Sequence, residues 1–438
     1  MRKRLRLIAL TIPLILVASN SYAAVKAGSS CSKAGIKSVS AGKTYTCVKS
    51  GKKLVWDKGL VIPTARPAPS SSSTVVKTNA EPTLSFIETL RSSRIDGKFP
   101  IEQVKFPIPP KLPSSWDDVY ENRDGIAYKA WQSISLGNAG NGNSFVTFSL
   151  SVGPRTSLVF TEIEKAISRV FNTFESTPQP KSISVVAFNF EDQNWAIEKV
   201  KELISGESDF YRNDQERRVA NMCSSMSKSC WSATAFSTPS GKAGVLLGIV
   251  DKEKLKTFDT SFSSYLRSER GLTVAHEYFH VIQLFTLGKN WYQMMFTPPI
   301  WFNEASAVFV ENGVMNQDSF DRYMQFRAVD SQLAYPSCGS TDNGCIKVNE
   351  EVLTKFLSLS NYANNWSDYP YGMKYEVSSR VIEILVALKG YQSLTDIYKY
   401  QAQDHTFEEA FEHVYGIAYS KAIPVMAKIV ADEFSNNR

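Results

Sequence analysis

The sequence predicts an α+β fold, in which strands come first and helices follow. Strand-like runs lie early in the body of the chain, at Ser144–Val152, Ser182–Phe190 and Ala243–Val250. Helical patterns occupy 158–175 and 193–204, and after Gly271 the chain is mostly helical to its end. A doubly wound fold would alternate strands and helices throughout, so this order favours α+β.

Composition and charge are those of an ordinary globular protein. The 438 residues are 43% hydrophobic and 21% charged, which excludes collagen-like, coiled-coil and wholly disordered chains. The net charge of +6 is unevenly distributed: residues 1–23 carry +4, residues 24–80 carry +9 and the remainder carries −7. Because the basic residues concentrate near the N-terminus and no recognition motif accompanies them, we expect no nucleic-acid partner.

The first 23 residues have the pattern of a secretory signal peptide. A basic start precedes an apolar run from Leu7 to Ala18, and Ser21 and Ala23 supply the small residues of a cleavage site. The run is shorter than the roughly 20 residues that span a bilayer, and no later stretch is long enough either. We therefore expect a secreted or cell-surface protein with no transmembrane helix in the mature chain.

The six cysteines predict structural disulfides. They fall into three close pairs, Cys31/Cys47, Cys223/Cys230 and Cys338/Cys345. None has the C-x-x-C spacing of a zinc ribbon, and an exported protein meets an oxidising environment. Pairing between sequence neighbours is the simplest of the 15 connectivities, and the choice among them stays open.

Residues 24–60 form a small basic module. Alternation over Lys43–Lys49, a glycine-containing turn and the run Leu54–Trp56 predict a β-hairpin. A unit of this size buries little core, so a disulfide between Cys31 and Cys47 would hold it together. The module resembles short Cys-containing modules appended to secreted actinobacterial proteins, a resemblance that implies little about activity.

The lysines of this module leave two hypotheses open. Either they retain the protein at an anionic cell-envelope polymer, together with Trp56, or they form a solvated basic spacer. Residues 61–80 are rich in proline and serine and are expected to form a flexible, partly extended linker to the body.

One motif in the body points to metal chemistry. Residues 276–280 have the sequence H-E-Y-F-H within an apolar stretch. On a helix, positions four apart lie on one face, so His276 and His280 can reach the same metal ion. Glu277 is one step further round the helix, where its carboxylate can act on a water molecule instead of the metal. The alternative is a buried helix with two core histidines.

Glu304 is the preferred third metal ligand, because a catalytic zinc usually has three protein ligands and one open position. It has apolar or small neighbours in an amphipathic helix predicted to begin around Trp301, after two prolines. His405 and His413 are alternatives in a polar stretch far downstream. The structural alternative for Glu304 is an exposed helix charge.

The two motifs together resemble those of the gluzincin metallopeptidases. The segment W-F-N-E-A-S-A around Glu304 is similar to the family's W-L-x-E-G-x-A, with Ala305 where glycine is common. The resemblance implies one Zn²⁺ ion held by His276, His280 and Glu304. It further implies that Glu277 is the general base.

The same resemblance, which covers about residues 243–438, gives the expected architecture. A gluzincin-like fold would have a mixed sheet and active-site helices, followed by a mainly helical C-terminal part. We therefore expect a sheet-containing subdomain with the zinc-site helices over 81–313 and a helical subdomain over 314–438. The small β module with its disulfide would precede both.

A weaker likeness downstream concerns an oxyanion-stabilising tyrosine. The run that begins at Tyr375 is similar to the family's Y-x-x-G helix, although Ser378 replaces the glycine. Tyr371, one turn earlier, is the alternative, and packing explains either residue equally well. The run 407–416 resembles a helix common near gluzincin C-termini, and its apolar spacing predicts packing.

The expected function is hydrolysis of peptide bonds in a peptide or protein substrate. No G-A-M-E-N-like segment of the aminopeptidase kind is present, so an endopeptidase is favoured. The alternatives are a cell-surface binding protein with a non-catalytic peptidase fold, and a zinc amide hydrolase that acts on a peptidoglycan cross-link. The apolar run 244–250 is either a sheet edge that pairs with an extended substrate or an internal strand.

Overall fold

The computed structural model divides the chain into two compact units, residues 1–74 and residues 75–438. The described residues are 26–31, 34, 37–40, 43–58, 60–61, 89–90, 93, 98–137, 146–225, 228–230, 233–250, 267–288, 298–334, 348–359, 369 and 372–436. Outside them lie the predicted signal peptide, the predicted linker after residue 61, Tyr371 and the predicted Cys338/Cys345 pair.

The N-terminal unit contains an antiparallel sheet. Its strands are β1 (Lys37–Ser40), β2 (Lys43–Ser50), β3 (Lys53–Trp56) and β4 (Leu60–Val61). β2 pairs with each of the other three strands. A disulfide joins Cys31, in the segment before β1, to Cys47 in β2. The predicted hairpin and this predicted disulfide are confirmed.

A mixed sheet forms the first part of the body. The strands here are β5 (Thr147–Val152), β6 (Ser182–Phe188), β7 (Cys223–Ser224), β8 (Ser229–Cys230), β9 (Ala233–Ser237) and β10 (Ala243–Gly248). The main sheet has the order β5–β6–β10–β9, in which only β9 is antiparallel to its neighbour. β10 is therefore an internal strand, which contradicts the sheet-edge hypothesis for 244–250 and agrees with its apolar sequence.

A separate disulfide closes a short ribbon beside this sheet. β7 and β8 pair with each other, and the Cys223–Cys230 disulfide connects them across the pair. This second predicted cysteine pairing is confirmed.

Helices cover this sheet and make up the rest of the body. They are α1 (Ile126–Gly137), α2 (Ile163–Thr173), α3 (Gln193–Leu203), α4 (Asp209–Asn221), α5 (Leu272–Leu287), α6 (Ile300–Met315), α7 (Phe320–Ala334), α8 (Glu350–Leu357), α9 (Ser378–Lys389), α10 (Ser393–Gln401), α11 (Phe407–Tyr415) and α12 (Tyr419–Asn436). The α+β prediction is confirmed. α2 begins five residues later than predicted, because residues 158–162 have no regular structure.

α5 lies in the core and is bounded by two glycines. Gly271 precedes it and Gly288 ends it, with φ angles of 74° and 67°. These positive angles suit glycine, because it has no Cβ to clash with the backbone. A Cβ on Gly271 would also lie only 2.4 Å from the ring of Phe160, so the packing here depends on glycine as well.

α6 packs against α5, α1, α2 and α9. It begins at Ile300, directly after Pro299, close to the predicted start. Its predicted amphipathic character is wrong, because every residue from 300 to 314 is buried. The polar side chains of this helix therefore face partners inside the protein and not solvent.

The larger hydrophobic core extends through the body from Leu90 to Phe434, and a smaller cluster on the other face of the sheet includes Val186 and Phe236. The larger core includes residues on both sides of position 313. The predicted division of the body into subdomains 81–313 and 314–438 therefore stays a prediction. Within the described ranges, no single helix has the length and hydropathy to span a membrane. One pair bent by 73°, Phe407–Tyr415 with Tyr419–Ser435, passes those criteria only when taken together.

Candidate metal centre

His276 and His280 lie on one face of α5, one turn apart. Their side chains are buried, and their Nε2 atoms are 3.1 Å from each other. The two rings are nearly perpendicular, at 85°. Two ring nitrogens at this distance repel each other if both present a lone pair, so the geometry requires a proton or a cation at this point.

α6 brings Glu304 to the same point. Its Oε2 atom lies 3.4 Å from Nε2 of His276 and 3.2 Å from Nε2 of His280. Glu304 is buried, so the exposed-charge alternative is wrong for this residue. In the part of the chain that the structure describes, this is the one convergent group of three or more metal-ligating side chains.

The spacing of the three donor atoms suits a metal ion. Tetrahedral zinc with bonds of about 2.0–2.1 Å has ligand atoms about 3.3–3.4 Å apart. The three separations in this group are 3.1, 3.2 and 3.4 Å. Imidazole and carboxylate ligands serve zinc and also other first-row divalent metals, so the group can hold a metal without specifying which one.

The two alternative third ligands lie in a different part of the body. His405 and His413 stack on the ring of Tyr400, with centroids 4.0 and 4.3 Å from it. Imidazoles this close to one ring must occupy its opposite faces, because side by side they would overlap. His405 and His413 are therefore not members of the convergent group, whose third residue is Glu304.

Glu311 and Arg267 support His276 from the other side of its ring. Nδ1 of His276 lies 3.1 Å from Oε2 of Glu311, and the Arg267 guanidinium lies 2.9 Å from the same oxygen. Glu311 is completely buried. Nη2 of Arg267 also lies 3.1 Å from Nδ1 of His276, so both groups hold this side of the ring. A group held at one ring nitrogen fixes the orientation of a ligand histidine. Nε2 of His276 is the atom that faces His280 and Glu304.

Gln283 holds the His280 ring in the same way, through a contact with its Nδ1 atom. Its Oε1 lies 2.6 Å from Nδ1 of His280, and its amide nitrogen donates to the Asn303 carbonyl at 3.0 Å and to the Ser306 hydroxyl at 2.9 Å. Tyr398 in turn donates a hydrogen bond of 2.6 Å to the Asn303 side chain. These bonds connect α5 to α6 and direct Nε2 of His280 towards Glu304.

Tyr375 lies beside His276 in a π-helical turn, Met373–Val377. The two rings are stacked, with centroids 6.2 Å apart and planes within 11°. Ser378, which stands where the resemblance has glycine, closes the turn by donating a 2.5 Å hydrogen bond to the Met373 carbonyl. Single π turns occur frequently at functional sites. The structure thus brings Tyr375 to the metal group, whereas Tyr371 lies outside the described residues.

Burial and mutual contacts set the charges in this group. Burial opposes ionisation of Glu304, but the charge of His280 and hydrogen bonds with both imidazoles hold its pKa well below the ordinary value. Burial also lowers the pKa of His276, yet hydrogen bonds with Glu304 and Glu311 outweigh that effect and raise it to about 9. The site therefore favours positive charge between its carboxylates, as a metal-binding site must.

Glu277 adds a further buried carboxylate. Burial raises its pKa above the ordinary value, although the neighbouring imidazoles oppose this change. With neutral imidazoles and ionised carboxylates, Glu277, Glu304, Glu311 and Arg267 together carry a charge of −2. A divalent cation would neutralise this cluster and so reduce the cost of burying it.

Three residues that contact the two histidines were not predicted from the sequence. For two of them, the spacing along a helix could have indicated the contact. Gln283 follows His280 by three residues and Glu311 follows Glu304 by seven, so each shares a helix face with its ligand. Arg267 precedes α5 and has no periodic relation to His276. Only the folded structure brings that guanidinium to the site.

Cavities among the described residues of the body lie beside the metal group or away from it. A small apolar one, of about 50 Å³, adjoins the N-terminal end of α5 and includes Arg267 and Thr273 in its lining. The larger one, of about 330 Å³, is lined by residues of α9, α10 and α11 together with Gln403. It contains no member of the metal group, so its size does not make it the candidate site.

No protein-family model, no curated protein and no solved structure matches this chain. The protein is therefore defined by its own fold and site. It is an α+β protein with a disulfide-containing N-terminal unit, and its body holds a buried His-His-Glu group that can bind a metal ion.

Proposed function

We propose that this chain is a zinc-dependent metallopeptidase of the gluzincin type that acts as an endopeptidase. The observation that carries the proposal is the convergence of His276, His280 and Glu304 within 3.4 Å, with buried Glu277 next to His276 on α5. The presence of all four residues favours an enzyme over a degenerate binding protein, since loss of any one would disable hydrolysis.

Glu277 carries the proton transfers in this proposal. Zinc, when held by the group, supplies a Lewis acid and lowers the pKa of a water molecule towards about 7. The Glu277 carboxylate accepts one proton from the attacking water as the water oxygen bonds to the carbonyl carbon. Glu277 then passes that proton to the amide nitrogen as the C–N bond breaks. Its raised pKa makes it a stronger base for the first step.

Tyr375 is the proposed hydrogen-bond donor to the carbonyl oxygen as negative charge develops there. Its stacking on His276 supports this role, because it keeps the ring beside a metal ligand. A donor of this kind typically contributes a few kcal/mol to the rate. Glu311 and Gln283 would act on the two imidazoles and not on the substrate, so we regard them as positioning residues.

The proposed location of the enzyme is outside the cytoplasm. The signal-like residues 1–23 and the Cys31–Cys47 and Cys223–Cys230 disulfides support it, because structural disulfides persist in oxidising compartments.

The test compares the wild-type protein with Glu277→Gln and with Glu164→Gln, a matched change at an exposed position on α2. Hydrolysis of casein and of a peptide library is measured together with metal content by mass spectrometry. Glu277→Gln should lose about 10²–10⁴-fold in rate while it binds metal at the wild-type stoichiometry. Glu164→Gln should match the wild type in both measurements.

Other outcomes would assign the protein differently. Wild-type activity in Glu277→Gln would contradict the role of Glu277. A wild-type protein that binds zinc but cleaves neither casein nor peptides would contradict the peptidase proposal and favour a non-catalytic binding protein. Cleavage of cross-linked peptidoglycan alone would identify a zinc amide hydrolase instead.

A further inference from the structure

The N-terminal unit concentrates positive charge that the rest of the protein lacks. Residues 24–60 contain eight lysines and a single acid, Asp57, whereas residues 81–438 carry a net charge of −7. A negatively charged partner is therefore attracted to the N-terminal unit and repelled on average by the body. Any site for such a partner should be sought among the lysines of this unit.

Three of these lysines meet at the tip of one hairpin. β2 and β3 are joined by Gly51 and Lys52, with Ser50 paired to Lys53. Gly51 has a φ of 61°, which is the conformation that a two-residue hairpin turn requires at its first position. Lys49, Lys52 and Lys53 are all exposed. Lys49 leaves the ribbon on the face opposite Lys53, because Lys53 pairs with Ser50. All three lysines lie within about 10 Å of one another, which is similar to the Debye length at physiological salt, so their positive charges add at the tip.

Two more lysines lie at the other end of β3. The segment 26–31 runs beside this strand, with hydrogen bonds of 2.8 Å from the Gly28 N–H to the Trp56 carbonyl and 2.9 Å from the Trp56 N–H to the Ser29 carbonyl. Lys26 is thereby placed near the end of β3 that Lys58 follows, and both are exposed. The five lysines thus follow β3 over roughly 16 Å.

The one acid of this region has a structural role. Oδ1 of Asp57 accepts a hydrogen bond of 3.0 Å from the backbone N–H of Thr46, which connects the end of β3 to β2. A single carboxylate can neutralise at most one of eight ammonium groups. The row of lysines therefore keeps most of its positive charge in the folded unit.

The form of this surface suits a linear polymer better than a bilayer. A membrane-binding surface usually adds apolar side chains that enter the lipid. Among the residues of this unit whose side chains the structure describes, Val48 is the one large hydrophobic residue that is clearly exposed, at 39%, and Trp56 is half-buried. Lysines spread over the length of the β2–β3 hairpin and its neighbouring segment match repeating charges along an extended chain.

We propose that the lysine row beside β3, formed by Lys26, Lys49, Lys52, Lys53 and Lys58, binds a linear polyanion whose repeating phosphate groups are not part of a nucleic acid. Binding is electrostatic and weakens as salt increases, because each phosphate contact releases a counterion. This binding does not involve the metal centre, so its test is independent of the test for peptidase activity.

The probe is long-chain inorganic polyphosphate, titrated against the full-length protein between 50 and 200 mM salt. The tip variant K49E/K52E/K53E is compared with K111E/K181E/K421E, which changes three exposed body lysines and alters the net charge equally. The tip variant should bind at least tenfold more weakly. It should also reduce the slope of log K against log salt by about 2, as expected for three lost contacts. The body variant should stay within about twofold of the wild type.

Two results would overturn the proposal. Equal losses in the two triple variants would show that only net charge matters. Tighter binding to vesicles containing an anionic lipid than to polyphosphate, at matched charge concentration, would identify a membrane surface instead. Circular dichroism checks that each variant is folded, and all six positions are on the surface, so neither variant removes core packing.

Discussion

Oε2 of Glu311 lies 3.1 Å from Nδ1 of His276, while Oε2 of Glu304 lies 3.4 Å from Nε2 of the same ring. The imidazole is thus held between two carboxylates, one at each nitrogen. Both carboxylates come from α6 and are seven residues apart, which is close to two helical turns. The helix that supplies a metal ligand therefore also orients another one.

Replacement of Glu311 should weaken metal binding in proportion to the loss of this contact. Glu311→Ala removes the carboxylate that lies beside Nδ1 of His276 and pairs with Arg267, and it should lower metal affinity about 10–100-fold. Glu311→Gln keeps an acceptor oxygen and should lose less. Competition with a fluorescent zinc chelator measures both values, and the exposed change Glu412→Ala is the control. A folded Glu311→Ala protein with wild-type metal affinity would contradict this positioning role.

Metal removal should destabilise the body. A ligand that binds only the folded state adds RT ln(1 + [L]/Kd) to stability, or about 2.7 kcal/mol at a hundredfold excess over Kd. A chelator should therefore lower the melting temperature of the wild type by several degrees. Glu304→Ala, which lacks one member of the group, should melt lower and respond little to the chelator. An equal chelator response in both proteins would place the stabilising metal elsewhere.

A buried ion-pair network should make the body sensitive to acid. The Glu383 carboxylate lies 2.8 Å from the Arg327 guanidinium, and Tyr323 donates a hydrogen bond of 2.5 Å to it. Burial opposes ionisation, but the charges of Arg327 and Arg380 hold the pKa of Glu383 below its ordinary value of 4.5. The folded state therefore binds fewer protons than the unfolded state near that pH. The contribution of the network is complete above pH 4.5 and is lost as pH falls through the folded pKa.

Urea unfolding between pH 7 and pH 3 measures this loss. The free energy of unfolding should change little down to about pH 5 and should then fall. Glu383→Gln should be about 3–5 kcal/mol less stable at pH 7, because it leaves buried guanidinium charge uncompensated. Its decline below pH 4.5 should be shallower than that of the wild type. Parallel declines in the two proteins would assign the acid sensitivity to other groups.

Gly271 and Gly288 allow backbone strain to be separated from steric overlap. Each has a positive φ, but an added Cβ would lie 2.4 Å from the Phe160 ring at Gly271 and would contact nothing within 4 Å at Gly288. Gly288→Ala should therefore cost about 1–2 kcal/mol for its backbone conformation alone. Gly271→Ala should cost a further 1–3 kcal/mol for overpacking. Equal losses of stability in denaturant unfolding would contradict this separation.

The residues of the metal group could be predicted from sequence because their relations are local. His276 and His280 are four apart on one helix, and the apolar neighbours of Glu304 indicated that its side chain is buried. The β-hairpin of the N-terminal unit was predictable for the same reason, since its turn and alternation lie within a few residues.

Relations between distant segments left no such signal. The apolar run of β10 allowed an internal strand, but it could not identify β6 and β9 as the neighbours that make it internal. α6 was predicted to be amphipathic because its polar residues suggested a solvent-facing side. In the structure Asn303 accepts a hydrogen bond from Tyr398, and Glu311 contacts His276. Polar partners inside the protein cannot be distinguished from solvent by sequence pattern alone.

The burial of α5 and α6 has a consequence for how this protein can vary. Of the 16 residues in each helix, 14 in α5 and 15 in α6 are buried. Few positions on these helices can accept a larger, smaller or more polar side chain without a cost in packing. A deep mutational scan should therefore find most of both helices intolerant, including positions that touch no ligand. Changes that alter the surroundings of the metal group would have to arise in the segments around these two helices.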